Sequence, residues 1–142
     1  MNKYWLLLIM FTVLKAQSTP TPADYWESLS EPEKIAFVNG VYAAISSAKA
    51  HHNTEVKKQY IHQKDWIPPY YIERYYDILD DYISKKAGYQ LETIARTVDA
   101  IYSNYENRKI PLMDAIRVAS LSQDGKRQKA NLVLYRSQKS HP

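Results

Sequence analysis

The sequence has no cysteine and only three glycines, and these two absences exclude several classes of protein. Without cysteine the chain forms no disulfide, iron–sulfur cluster, Cys-ligated zinc site or thiol nucleophile. Three glycines leave no room for a glycine-rich phosphate-binding loop, and neither the dinucleotide-binding motif nor the P-loop motif occurs. So few glycines also argue against an all-β fold, which needs many tight turns. At 142 residues, the expectation is one domain.

The first sixteen residues have the layout of a secretory signal peptide. Lys3 precedes an 11-residue, mostly apolar run (4–14), and small residues follow at cleavage positions. The run is shorter than the roughly 20 apolar residues that span a membrane. We therefore predict export to the periplasm or the medium, with cleavage after Ala16 or Ser18 and no stable membrane anchor afterwards; an uncleaved interfacial anchor is the alternative. Residues 17–24, rich in Thr and Pro, are predicted to be an extended leader.

Positive charge is concentrated at the end of the chain. Residues 124–142 hold five basic side chains against one acidic side chain, whereas 17–123 carries a small acidic excess. Such a stretch either attracts phosphate or anionic lipid or forms a solvated helix face, and we favour the solvated face. Because the net charge of the chain is small and the sequence has no nucleic-acid recognition motif, we expect no nucleic-acid partner.

Hydrophobic periodicity predicts the first long helix. Ser30 and Glu33 have the spacing of a capping box, with Pro32 in the first turn, and an apolar stripe continues to His52-Asn53. Residues 54–67 have no clean period and are interpreted as a loop or weak helical turn.

The same periodicity predicts an all-α fold for the rest of the chain. Residues 127–138 fit either a helix or a short strand, and we favour the helix because no second strand is available to pair with it. The prediction is a compact antiparallel bundle of four to five helices over residues 25–142. The remaining predicted helices are 70–86 with Gly88 as its end, 90–105, and one from Pro111 to Asp124-Gly125.

Tyrosine is the most unusual component, with 13 in the chain and five within 70–86. A tyrosine ring is apolar and its hydroxyl is polar, so it suits either the edge of a core or a recognition surface. The candidate partner surface on this helix comprises Tyr70, Tyr71, Tyr76, Asp77, Asp80 and Asp81.

Support for catalysis or metal binding is weak. Paired carboxylates cleave glycosides when a cleft holds them, but the three aspartates of helix 70–86 are expected to solvate an exposed face. His51 and His52 diverge by about 100° on a helix, so they do not readily face one ion. We expect no enzyme activity, metal or cofactor; the alternative is a small envelope enzyme or carbohydrate-binding protein using 70–86.

Two spaced patterns carry a resemblance to known proteins. The first comprises Trp26, Leu29, Ser30, Lys34, Phe37, Gly40 and Tyr42, and the second Asp99, Ile101, Tyr102, Asn107, Ile110, Pro111 and Ala115. Together, over about Tyr25 to Gly125, they resemble a group of small exported bacterial helical proteins. That group is similar in layout to the immunity proteins that neutralise type VI secretion amidase effectors in the periplasm. Those immunity proteins typically carry paired cysteines, which this chain lacks.

The patterned residues also have a physical interpretation as residues that maintain the fold. Trp26 and Leu29 precede the cap and are expected to staple the chain onto the first helix. Gly40 is expected to permit a close helix crossing, and Asn107 to bond its own neighbouring backbone before Pro111. The leading hypothesis is an exported, non-catalytic protein, immunity-like in type, that binds a protein partner in the cell envelope.

Overall fold

The computed structural model describes residues 19–88 and 90–142, and within these ranges every regular element is a helix. The all-α prediction is confirmed, with six α-helices instead of four to five. The predicted signal peptide and residues 17–18 lie outside the described residues. No helix in the described ranges is long and apolar enough to cross a bilayer. The helices are α1 (Pro22–Ser28), α2 (Glu31–Gln59), α3 (Tyr70–Asp80), α4 (Leu91–Tyr102), α5 (Leu112–Gln123) and α6 (Arg127–Ser140), with a 3₁₀ turn at Tyr105–Asn107.

α5 is the central helix of the bundle. It packs against α1, α4 and α6, while α2 packs against α4 and adds Val38 and Tyr42 to the core. Half of α5 is buried, and each large apolar side chain buried in this way contributes roughly 1.5–3 kcal/mol. The main core includes Trp26, Val38, Ile94, Val98, Tyr102, Ile110, Ala115, Ile116 and Ala119.

The two sequence patterns meet at one aspartate. The Asp99 carboxylate accepts hydrogen bonds from Trp26 Nε1 and Lys34 Nζ, each at 2.7 Å. The Lys34 ammonium also lies 5.5 Å from the Trp26 ring centroid, within cation–π range. Trp26 is fully buried and contacts the Phe37 ring edge-on. This cluster joins α1, α2 and α4 and gives the patterned residues a place in the packing.

The helix starts follow local capping chemistry. Glu33 accepts hydrogen bonds from both the backbone N–H and the hydroxyl of Ser30, as the capping-box spacing predicts. A second capping box, which the sequence analysis overlooked, joins Thr21 and Asp24. Because this box starts α1 at Pro22, the prediction of an extended leader as far as residue 24 is wrong for its last three residues.

Two predicted roles of patterned residues differ in the structure. Gly40 is exposed, and a Cβ built on it would meet nothing within 4 Å, so the prediction of a close helix crossing there is wrong. Asn107 is buried and bonds backbone, but its partner is the Ile101 carbonyl at the end of α4, not its immediate neighbours. The side-chain oxygen of Asn107, Oδ1, accepts a hydrogen bond from Gln138 Nε2 at 2.8 Å, and this bond joins α6 to the 3₁₀ turn.

The predicted boundaries of α2 and α3 are wrong. α2 continues to Gln59, beyond the expected end at His52-Asn53, because residues 54–59 contain no helix breaker. Their apolar period is weak because most of this part of the helix is exposed. α3 ends at Asp80, so the predicted helix over 70–86 is too long and Gly88 does not end it.

The end of α5 and the start of α6 agree with the sequence analysis. Gly125 has a φ of 80°, and its N–H bonds the Ser122 carbonyl while that of Lys126 bonds the Leu121 carbonyl. This is the hydrogen-bond pattern of a Schellman ending, which favours glycine. Residues 127–138 are helical, so the preference for helix over strand is confirmed.

Side chains hold the non-helical connection between α3 and α4 against the core. Ser84 N–H donates to the Tyr42 hydroxyl at 3.0 Å, and Ser120 Oγ donates to the Tyr82 carbonyl. The Tyr42 hydroxyl therefore donates to Ser120 Oγ, 2.7 Å away.

Asp124 accepts from the Ser84 hydroxyl at 2.8 Å and from the backbone N–H of Lys85 and Lys86. Polar groups from α2 and α5 thus replace the backbone partners that a longer α3 would supply.

Replacing Tyr42 with Phe tests this connection. The variant leaves the Ser84 N–H without its acceptor in a buried place, so we expect a loss of about 1–3 kcal/mol in the free energy of unfolding. Urea denaturation followed by circular dichroism measures the loss. Tyr105→Phe, at an exposed tyrosine with no side-chain hydrogen bond among the described residues, is the matched control and should change stability by less than about 0.5 kcal/mol. Equal stability of the two variants would contradict the role of Tyr42.

Replacing Gly40 with Ala tests the corrected role of this glycine. Since the added methyl group meets nothing and the site is within a helix, we expect stabilisation by roughly 0.5–1 kcal/mol. Gly125→Ala is the contrasting variant and should destabilise, because its positive φ is strained for alanine. Destabilisation by Gly40→Ala, measured in the same urea titrations, would restore the idea of a close crossing.

Candidate functional site

The structure divides the candidate partner surface on α3 into exposed and packed residues. Tyr70 and Tyr71 are 77% and 69% exposed, and Asp77 is also exposed. Tyr70 and Tyr71 lie in the first turn of α3, just after the prolines that start it. These three residues are available to a partner on the isolated domain.

The exposed tyrosines belong to a stretch of sequence that is rich in exposed apolar side chains. Ile61 and Ile67, in the connection before α3, are 71% and 78% exposed, and Tyr75 is also exposed. We call Ile61, Ile67, Tyr70, Tyr71 and Tyr75 the apolar segment. Five of the ten exposed large apolar side chains in residues 19–88 and 90–142 lie within it. Nearby, Tyr60 and Trp66 stack with ring centroids 4.1 Å apart, which fixes the shape of the connection.

Tyr76 and Asp80 attach α3 to α2. The Tyr76 hydroxyl lies 3.0 Å from His52 Nδ1, and the two rings are in edge-to-face contact. Asp80 forms an ion pair with Lys49, whose ammonium also lies 5.6 Å from the Tyr76 ring centroid. Their main contacts are therefore within the molecule.

Asp81 is the least exposed member of the predicted surface, at 1% of its side chain. Its two carboxylate oxygens accept hydrogen bonds from Arg117 of α5 at 2.8 Å and Lys129 of α6 at 2.7 Å. Arg117 also lies over the Tyr82 ring, 5.3 Å from its centroid. This ion pair network anchors the end of α3 to α5 and α6 and keeps Asp81 away from a partner.

The environment of Asp81 disfavours an acid–base role. Burial by itself raises the pKa of its carboxyl group, but the hydrogen bonds and charges of Lys129 and Arg117 outweigh burial and hold the pKa below its ordinary value. A general acid at neutral pH needs a raised pKa instead. No group of three or more His, Asp or Glu side chains suited to a metal occurs in the described part of the chain.

A basic groove of about 270 Å³ lies beside this network, between α3 and the pair formed by α5 and α6. Arg74 contributes from α3, Arg117 from α5, and Lys129 and Arg136 from α6. Leu132 adds an apolar wall, and it is almost half exposed. We call this site the basic groove.

Sequence reasoning missed both the apolar segment outside helix 70–86 and the basic groove. The isoleucines gave no periodic signal because they lie in an irregular connection. The groove had a partial signal in the basic excess of 124–142, where Lys129 and Arg136 are seven residues apart and so share a helix face. Arg74 and Arg117 come from other parts of the chain, and only the fold brings them to that face.

Comparisons with protein-family models, curated proteins and solved structures found no match to this chain. The resemblance to envelope immunity proteins stays a hypothesis, and functional assignment has to come from the surfaces described above.

The Asp81 network makes the fold sensitive to acid. Because the folded pKa of Asp81 is below its ordinary value of 3.8, the unfolded chain binds more protons at low pH. The stabilisation that ionised Asp81 gives the folded protein is therefore complete above about pH 5. It is lost as the pH falls through and below the ordinary pKa of the carboxyl group. In Asp81→Asn, we expect the free energy of unfolding at pH 7 to fall and to depend less on pH between 6 and 3.

Chemical denaturation at each pH measures this difference. Asp77→Asn is the matched control, because Asp77 is exposed and has no ion pair among the described residues. It should keep the pH profile of the unmodified protein. An Asp81→Asn profile parallel to that of the unmodified protein would show that the network does not contribute to acid sensitivity.

Proposed function

We propose that this chain is a non-catalytic, protein-binding domain of the cell envelope and that the apolar segment is its main contact surface. The observation that carries the proposal is the exposure of the first turn of α3, where Tyr70 and Tyr71 are mostly solvent-accessible. Tyrosine is enriched in protein interfaces because its ring supplies apolar area and its hydroxyl supplies a hydrogen bond.

The packing of the domain supports this choice. α3 does not need the exposed tyrosines to stay in place, since Ile72 is buried and Tyr76, Asp80 and Asp81 already hold the helix. Tyr70 and Tyr71 are thus exposed on a helix that other residues fix, an arrangement that reduces the entropy lost on binding. Concentrated exposed apolar side chains are typical of protein-interaction sites.

The sequence hypotheses fit the same function. The predicted signal peptide would place the domain outside the cytoplasm, and the resemblance to immunity proteins implies a protein partner there. The lowered pKa of Asp81 and its two cationic partners weigh against the alternative in which the aspartate cluster performs acid–base catalysis. An immunity-like role, in which the domain covers the active site of an envelope enzyme, is the specific form that we propose.

Site-specific photocrosslinking in the native cell tests the contact surface. We place a benzoylphenylalanine at position 70 or 71 of the full chain, and at position 105 as the control. Tyr105 is also highly exposed but lies outside the apolar segment. We expect a discrete adduct with one protein from positions 70 and 71 and no such adduct from position 105. Absence of an adduct, or the same adducts from all three positions, would contradict the proposal, as would a homodimer of the chain.

Direct binding to the purified crosslinked protein then measures the contribution of the tyrosines. Truncation of interface hot spots costs about 2 kcal/mol or more. We therefore expect Tyr70→Ala with Tyr71→Ala to raise Kd by about 30-fold or more, and the exposed control Tyr105→Ala to leave Kd unchanged. Melting curves of all variants should coincide because none of these side chains belongs to the core.

A further inference from the structure

The basic groove has more positive charge than the chain neutralises. Arg74 and Arg136 take part in none of the ion pairs among the described residues. Every acidic residue of the sequence falls within the described ranges, so no carboxylate side chain outside them supplies a partner. Four cationic side chains line the groove. Exposed Asp77, three residues after Arg74 on α3, offsets part of this charge, and Asp81 and Asp114 offset more of it.

Those two carboxylates are already engaged within the molecule. Asp81 accepts from Arg117 and Lys129, and Asp114 accepts from the Ser137 hydroxyl at 2.7 Å. Because their hydrogen bonds hold α3, α5 and α6 together, neither side chain can turn toward the arginines without breaking these links. Arg74 and Arg136 are therefore exposed without an ion pair among the described residues, and an anionic group from outside the chain can reach both.

The arrangement of side chains along α6 favours a polypeptide over a small molecule. The groove has a volume of about 270 Å³ and is lined from α3, α5 and α6. Two of its cations, Arg117 and Lys129, meet at Asp81, whereas Arg74 and Arg136 come from two different helices, α3 and α6. Along α6, Lys129, Leu132 and Arg136 lie on one face, so charge alternates with an apolar side chain. An extended acidic segment with an apolar residue matches this alternation, and arginine binds carboxylates through two parallel hydrogen bonds.

Arg74 links the groove to the apolar segment. It lies three residues after Tyr71 and four after Tyr70, so it is a near neighbour of both on the surface of α3. We propose that the basic groove binds an acidic segment of the same protein partner whose apolar side chains contact the apolar segment. This inference rests on the proposed function and adds to it the chemistry of the partner.

A labelled model peptide tests the groove separately from the partner. The probe is a synthetic peptide of six glutamates that flank a Leu-Tyr pair, with an uncharged fluorophore, and its binding to the full domain is followed by anisotropy at about 50 mM salt. We expect binding that weakens as salt rises, since screening shortens the range of these charges to about 10 Å at 0.1 M. The Arg74→Glu/Arg136→Glu double variant should bind about tenfold more weakly or worse.

The control carries the same change in net charge. Arg127→Glu/Lys139→Glu reverses two exposed cations of α6 that do not line the groove, and it should change Kd by less than about twofold. Circular dichroism spectra and melting temperatures confirm that each variant is folded. Equal weakening by both double variants would mean general charge attraction and would overturn the inference. Displacement of the peptide by millimolar inorganic phosphate would overturn it in favour of a small-anion site.

The outcomes for the groove and for the proposed function are distinguishable. The Tyr70→Ala/Tyr71→Ala variant keeps the arginines, so it should retain most of its affinity for the model peptide while it loses the natural partner. If photocrosslinking identifies a partner but neither that partner nor the peptide responds to Arg74→Glu/Arg136→Glu, the inference about the groove is wrong and the proposed function stands. If no partner is captured at positions 70 and 71, the proposed function fails whatever the peptide does.

Discussion

The structure depends on the buried polar contacts that fix the irregular connection between α3 and α4. Backbone N–H groups in such a connection need acceptors, and a buried N–H without one costs about 1–3 kcal/mol. Here Tyr42 and Asp124 supply the acceptors, while Asp81 joins the last turn of α3 to two cations. The Tyr42 hydroxyl is protonated at neutral pH, as any tyrosine hydroxyl is, and it donates to Ser120, while burial raises its pKa further. These contacts, together with those of Tyr76 and Asp80 to α2, set the position of α3 relative to the core.

The position of α3 in turn determines both candidate surfaces. The apolar segment lies at its N-terminal end, and the basic groove lies between it and α5–α6. Asp81 contributes at the other end by drawing Arg117 and Lys129 together. A rigid support of this kind is what a preorganised binding surface requires, because it limits the conformational entropy lost when a partner binds.

Local sequence signals were sufficient for most of the fold. Capping residues, amphipathic stripes and Gly125 correctly predicted the all-α class and the start of α2, because these features depend on neighbours a few residues apart. The helical form of 127–138 was predicted on a different ground, the lack of a second strand to pair with it. The errors occurred where distant residues decide. α3 ends early because Tyr42 and Asp124, far away in the sequence, capture the backbone that follows, and no pattern within 70–86 contains that information.

The candidate site shows the same division between local and distant information. The sequence indicated an unusual tyrosine helix, but Tyr70 and Tyr76 look alike in sequence and differ in fate because only Tyr76 meets His52. Likewise, the three aspartates form one cluster in sequence but differ in the structure. Asp77 is exposed, Asp80 pairs with Lys49 of α2, and Asp81 is buried. Burial of Asp81 also explains why the groove remains cationic. The Asp81 carboxylate is fixed behind Arg117 and Lys129 and offsets only part of their positive charge. Arg74 and Arg136 have no such partner among the described residues. The fold thus uses Asp80 and Asp81 to hold helices together and leaves Arg74 and Arg136 without an ion pair among the described residues.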